Sequence, residues 1–119
     1  MSGRFSDYRV EKWLRDLQTC YVALHYDNPD IAGSYASEVF GGAYTRCLVH
    51  FSDPSGRAMW NVSNITFAGL GSIVVTHMAA WDAAINGNME MSAPLVNQVR
   101  IQAGGRYDLG ANQFAISFR

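Results

Sequence analysis

The sequence predicts a mainly β protein, an antiparallel β-sandwich of jelly-roll or immunoglobulin-like kind, with about seven or eight strands and one N-terminal α-helix. Three observations carry that prediction. After Thr19 the apolar period is two; the β-rich runs are separated by clusters of Gly, Asn, Asp and Pro; and only one stretch, near the N-terminus, repeats at a helical period. A length of 119 residues predicts a single domain, with the helix at about 6–18 and the sandwich at about 20–119.

The helix is read from FSDYRVEKWLRDL, where Val10, Trp13, Leu14 and Leu17 fall at i, i+3, i+4 and i+7 and charged residues fill the other face. Ser6 or Asp7 can cap it by accepting a hydrogen bond from a free backbone N–H. The apolar stripe must be covered, either by the sandwich or by a neighbouring protein.

The strands follow in order as CYVALHY, YTRCLVHF, NITF, IVVTHMAAW, NMEMS, LVNQVRI and QFAISF. In YTRCLVHF, Cys47, Val49 and Phe51 share one face; in QFAISF, Phe114, Ile116 and Phe118 point together. Between them DNPDIAGS, FGGA, SDPSG, FAGLG, NGN and AGGRYDLGAN supply the positive-φ and fixed-φ positions that turns require. In VVTHMAAWDAAINGNM, the strand through Thr76 and His77 ends near Trp81, and Asn86-Gly87 returns the chain as a hairpin. Thr76, His77 and Asp82 are expected to fix that hairpin by local hydrogen bonds.

Composition narrows the function. The chain is 49% apolar and 16% charged, with nine basic residues against ten acidic ones and no basic run, so it carries no electrostatic footprint for nucleic acid or anionic lipid. Eight of the nine basic residues are arginines, the cation favoured in protein interfaces. No apolar window reaches the length of a membrane span and no signal-like N-terminus is present, so a soluble, non-secreted protein is expected.

Chemistry is thin. His25, His50 and His77 with Cys20 and Cys47 lack close metal-ligand spacing, so no metal is expected. The two cysteines read as buried free thiols, a disulfide staying open if their strands are neighbours. No serine sits in a G-x-S-x-G elbow, no cofactor fingerprint appears, and carboxylates such as Asp27 and Asp30 read as turn residues, so neither catalysis nor a cofactor is expected. Phe40-Gly-Gly-Ala43 and Ala103-Gly-Gly-Arg106 read as turns or bulges. Asn61-Val-Ser63 and Asn64-Ile-Thr66 fit the glycosylation sequon, a pattern common by chance. The aromatics could instead line a sugar-binding surface, with Trp60 beside Tyr26 or Tyr35.

Several segments read together carry a resemblance: Tyr21-Val-Ala-Leu-His25 with Asp27-Asn-Pro29, Glu38-Val39, Gly41-Gly42-Ala-Tyr44-Thr-Arg46, Asn64-Ile-Thr-Phe67, Val75-Thr-His77, Trp81-Asp82-Ala83 and Gly87-Asn88. In that order the chain, from about residue 8 onward, resembles a family of short virion proteins of tailed bacteriophages, described as tail-fibre-like, minor tail or head-decoration proteins. It departs from that pattern at Tyr26 to Pro29 and at Met59-Trp60. The resemblance implies a non-enzymatic virion component, made in the bacterial host cytoplasm, most like a tail-tip or fibre-associated minor tail protein. Its partners would be other virion structural proteins and copies of itself. The alternatives are a capsid decoration protein and a module binding a host-surface glycan. The expected contact residues are Val10, Trp13, Leu14, Leu17, Tyr35, Trp60, Arg106 and Tyr107, with Asn28 to Ser37 and Gly104 to Asn112 as exposed contact loops.

Overall fold

A computed structural model describes residues 4–29 and 37–117. Its first element is α1 (Asp7–Asp16), capped by the Ser6 side chain, which accepts the Arg9 backbone N–H at 3.2 Å. Asp7 in the first turn and Arg15 in the last both complement the helix dipole. Arg57 pins this end of the chain by donating to the Asp7 carboxylate at 2.7 Å and to the Phe5 carbonyl at 3.2 Å.

Among the described residues eight strands follow: β1 (Thr19–His25), β2 (Cys47–His50), β3 (Ala58–Trp60), β4 (Ile65–Leu70), β5 (Ile73–Trp81), β6 (Met89–Ile101), β7 (Gly105–Leu109) and β8 (Ala115–Ser117). All pairings are antiparallel: a four-stranded sheet in the order β2-β1-β5-β6 and two ribbons, β3-β8 and β4-β7. One face of the sheet supplies Cys20, Val22, Leu24, Val75, Met78 and Ala80 to the main core. The ribbons add Met59, Ile65, Phe67, Leu70 and Ile116, and α1 closes the cluster with Val10 and Leu14. A sheet and its covering ribbons thus enclose one apolar layer, the arrangement that alternating apolar residues demand.

Three readings of the strands change. Residues 104–112 are not all loop, because Gly105–Leu109 forms β7 and pairs with β4; Tyr107 and Leu109 alternate inward while Arg106 and Asp108 face out. Ala58–Trp60 forms β3, whose three residues are too short to show a period. NMEMS and LVNQVRI are one strand, β6, joined through an irregularity that leaves Leu95 to Gln98 between the Pro94–His77 and Val99–Val75 pairs. Pro94 sits at that irregularity, on an edge strand that needs no N–H from it.

Cys20 and Cys47 are free and lie on neighbouring strands, but the register sets Cys20 opposite Val49 and Cys47 opposite Val22. Burial, with the Glu90 charge a lesser cause, pushes the Cys20 thiol up to about 12, which keeps it protonated and inert. Among the described residues no helix is long and apolar enough to cross a membrane.

Candidate functional site

The second face of the sheet carries a polar network centred on Arg46. Ala23, Ala79 and Trp81 form a small buried cluster there, and the Arg46 guanidinium lies over the Trp81 ring, while Val39 and Tyr44 of segment 37–46, which leads to it, pack into the main core. That segment starts as an extension of the sheet: where β2 ends, Tyr26 N–H donates to the Ser37 carbonyl at 2.9 Å and Val39 N–H to the Leu24 carbonyl at 2.9 Å. His25 and Glu38 face each other across this short bridge. The chain then turns at Gly41 and Gly42, both at positive φ, and Ala43 N–H donates to the Gly69 carbonyl at 2.8 Å. Gly42 is obligatory for space as well as for φ, because a Cβ there would collide with the Gly69 carbonyl oxygen.

The turn delivers Tyr44 and Arg46 to Glu38. Arg46 donates through Nε and Nη2 to the two Glu38 oxygens, each at 2.8 Å, and Tyr44 donates its hydroxyl to Glu38 Oε2 at 2.7 Å. The Tyr44 oxygen in turn accepts the Leu24 N–H at 3.2 Å. Arg46 Nη1 reaches the carbonyls of Ala83 at 2.9 Å and Asn86 at 2.8 Å, and its guanidinium lies 4.1 Å from the centre of the Trp81 ring. The Arg46 side chain is only 3% exposed, so burial of its charge is offset by the fork to Glu38, the two carbonyls and the indole face. Burial works to raise the Glu38 pKa, yet hydrogen bonds from Arg46 and Tyr44 outweigh it and hold the carboxyl below its usual range. Tyr44 is driven the other way, by burial and by its bond to Glu38.

The two Arg46 acceptors belong to the β5–β6 hairpin loop, which has its own fastening. Asp82 Oδ1 accepts the Asn88 N–H at 2.7 Å and Oδ2 accepts the Asn88 side-chain amide at 3.0 Å. Asn86 and Gly87 both take positive φ, as the Asn-Gly pair predicts. Thr76 and His77 meet locally, Oγ1 to Nδ1, at 2.8 Å. Glu38 and Arg46 therefore clasp segment 38–46 to the hairpin loop over Trp81, and Asp82 closes that loop on itself.

His25 lies buried beneath the clasp, with its ring stacked on Trp81 at 6.1 Å. Trp81 Nε1 can only donate, and it points to His25 Nε2 at 3.4 Å, which places the imidazole proton on Nδ1, 2.9 Å from Ser37 Oγ. A histidine that donates to a serine is not positioned to take that serine's proton, so the pair lacks the wiring of a nucleophile and its base. Burial, opposed by the Glu38 charge, pushes the His25 pKa down to about 4. Among the described residues no three His, Cys, Asp or Glu side chains gather as a metal set.

A cleft of about 570 Å³ opens above the clasp between segment 38–46 and the hairpin loop, with Glu38, Tyr44 and Arg46 in its wall. Phe40 and Ile85, both on its border, are 74% and 79% exposed. The Phe40 ring is met edge-on by Tyr26 at 6.4 Å.

The contact residues expected from sequence lie elsewhere. Val10, Leu14 and Leu17 are buried, so the helix stripe finds its cover in the protein's own core. Trp13 is half-buried, with Phe5 edge-on at 4.6 Å. Arg106 pairs with Asp108 at 2.8 Å on the exposed side of β7, and Tyr107 is half-buried, its phenol pKa raised by that burial. Tyr35 and most of the loop from Asn28 to Ser37 fall outside the described residues. Trp60 is 46% exposed on β3. Asn61, the first sequon residue, is buried; its amide holds the carbonyls of Ser63 and Gly110 and accepts the Phe114 N–H, so it is spent on structure.

Glu38, Gly41, Gly42, Tyr44, Arg46, Trp81 and Asp82 stand out in the sequence as pattern residues, but nothing in their spacing shows that they meet. An acid and an arginine flanking a double glycine was the available signal. Phe40 and Ile85 gave none, since exposed apolar residues look like any others in a sequence.

Compared with known families, the chain matches the model of the podophage GP4 fiber I protein gp80 over residues 12–117. No curated protein matches it.

Proposed function

The chain belongs to the family of the podophage GP4 fiber I protein gp80, and from that membership we propose that it is a non-enzymatic structural part of the phage tail, set at the tail tip or its fibres. The family match across residues 12–117 carries this reading. In it the protein is made in the host cytoplasm, joins the virion, and docks on neighbouring virion proteins and on copies of itself.

The polar chemistry supports a scaffold. In the clasp Glu38 and Arg46 satisfy each other and Asp82 holds its own loop, so the charged groups are occupied in fixing backbone.

The surface supports docking. Phe51 bridges Asn61, Ser52 N–H donates to the Trp60 carbonyl, and Val62 N–H donates to the His50 carbonyl. This pairing puts Leu48, Trp60 and Val62 on one outward face while Val49, Met59 and Asn61 point in. The three outward residues are 47%, 46% and 54% exposed and share that face with His50 and Ser52, a mixed surface with large apolar anchors of the kind that contacts a partner.

Replacing Trp60 with Glu tests the docking. The purified variant should keep the wild-type melting temperature, since the side chain faces outward, and its incorporation into particles should fall by about tenfold or more. Normal incorporation would exclude this face as the attachment surface. A capsid decoration role is separated by copy number per particle, which is far higher on a shell than at a tail tip.

A further inference from the structure

We propose that the cleft between segment 38–46 and the β5–β6 hairpin loop is a binding site for a neutral saccharide. The proposal does not depend on the tail assignment and concerns a different surface from Leu48, Trp60 and Val62.

Size comes first. At about 570 Å³ the cleft lies within the roughly 300–1,000 Å³ range of small-molecule sites. Its preorganisation is unusual for a gap between loops, because both walls are fixed: segment 38–46 by the Gly42 fit against Gly69 and by the Arg46 fork, the hairpin loop by Asp82 and by Arg46 Nη1. A site already rigid loses little entropy when a ligand enters.

Charge decides the ligand class. The charged side chains lining the cleft are Glu38 and Arg46, which neutralise each other through two 2.8 Å bonds. An anionic or cationic ligand would find no unmatched counter-charge there. A wholly apolar ligand would strip water from the ion pair's outer lone pairs and from the Thr45 hydroxyl and the Asn86 side-chain amide on the border, with nothing to replace it. A neutral polyol satisfies both constraints: its hydroxyls can donate to Glu38 and exchange bonds with Thr45 and Asn86, and the C–H face of its ring can cover Phe40 and Ile85.

The mouth of the cleft is apolar. Phe40 and Ile85 remain 74% and 79% exposed although each borders the same cleft, and Tyr26 props the Phe40 ring edge-on from outside it. Large apolar groups held at the mouth of a cleft whose wall mixes polar and apolar groups match a ligand that is hydroxylated at its edge and apolar on its face.

The test is saturation-transfer NMR on the intact chain with maltotriose, cellotriose and chitotriose at millimolar concentration, with trigalacturonate as an acidic comparison. At least one neutral trisaccharide should receive saturation at its ring C–H protons. Phe40→Ala and Ile85→Ala, both at exposed positions, should each weaken it by about tenfold or more, and Trp60→Ala should leave it unchanged. Absence of transfer to all three neutral sugars would overturn the proposal. So would binding that survives Phe40→Ala, binding lost only on Trp60→Ala, or preference for the acidic sugar. Virion incorporation of Phe40→Ala should stay normal in every case, so failure here is distinguishable from failure of the tail assignment.

Discussion

Arg46 has partners on three sides: the Glu38 carboxylate, two carbonyls of the hairpin loop and the face of Trp81. Lysine at this position would keep the charge but lose the planar fork, so Arg46→Lys should destabilise by about 1–3 kcal/mol in urea unfolding. Arg46→Ala leaves the half-buried Glu38 without its counter-ion and should cost up to about 3–5 kcal/mol; adding Glu38→Gln should restore part of that loss, because the stranded charge is then gone. His25 supplies a pH signature. Its pKa is lowered from 6.5 to about 4 in the fold, so the unfolded chain binds its proton first. The contribution is therefore complete above pH 6.5 and drains away as pH falls from 6.5 towards 4. The lowered Glu38 pKa acts in a separate window, its stabilisation being lost only as pH falls below the ordinary carboxylate range. Thermal melts across pH 4 to 6.5 should decline for the wild type and flatten for His25→Gln; an unchanged slope would mean another group titrates. None of these contacts was legible from spacing. Glu38 and Arg46 sit on an irregular segment with no period, and their partners Ala83 and Asn86 are brought near only by the sheet.

At the scale of elements, glycine positions separate space from backbone angle. Gly41 and Gly42 both take positive φ, but a Cβ on Gly41 meets nothing, whereas one on Gly42 strikes the Gly69 carbonyl. Gly41→Ala should cost about 1 kcal/mol and Gly42→Ala about 2–4 kcal/mol, measured by chemical denaturation; equal costs would show that the loop is not held against Gly69. The helix stripe was legible because four apolar residues at helical spacing leave little alternative, and its packing role follows from Leu14, which is 0% exposed. Leu14→Ala should lose about 2–5 kcal/mol. The long strands β1 and β5 were equally plain. What sequence missed was short or interrupted. β3 has three residues, β7 begins among glycines that read as a turn, and β6 carries Pro94 and a bulge that divide its alternation in two. In each case pairing with a partner strand, which local pattern does not reveal, decides the conformation.

For the whole molecule, the alternating strands and their turns were enough to give an antiparallel β architecture with an N-terminal helix, because burying one face of each strand leaves few other solutions. The arrangement as one four-stranded sheet and two ribbons was not legible, since register and strand order depend on contacts distant in sequence. The virion assignment came from an ordered set of residues whose physical role is now visible: Glu38, Gly42, Tyr44 and Arg46 fix segment 38–46, with Arg46 over Trp81, and Asp82 closes the hairpin loop. A family can share such residues because the scaffold needs them, whatever its partner. The most direct test of the tail assignment is quantitative mass spectrometry of purified virions, scaling this chain to the major capsid and tail-tube proteins. A tail tip or its fibres would hold roughly a few to a few tens of copies per particle, and that is the expected result. Hundreds of copies would place the protein on the capsid, and absence from the particle would contradict the structural role itself.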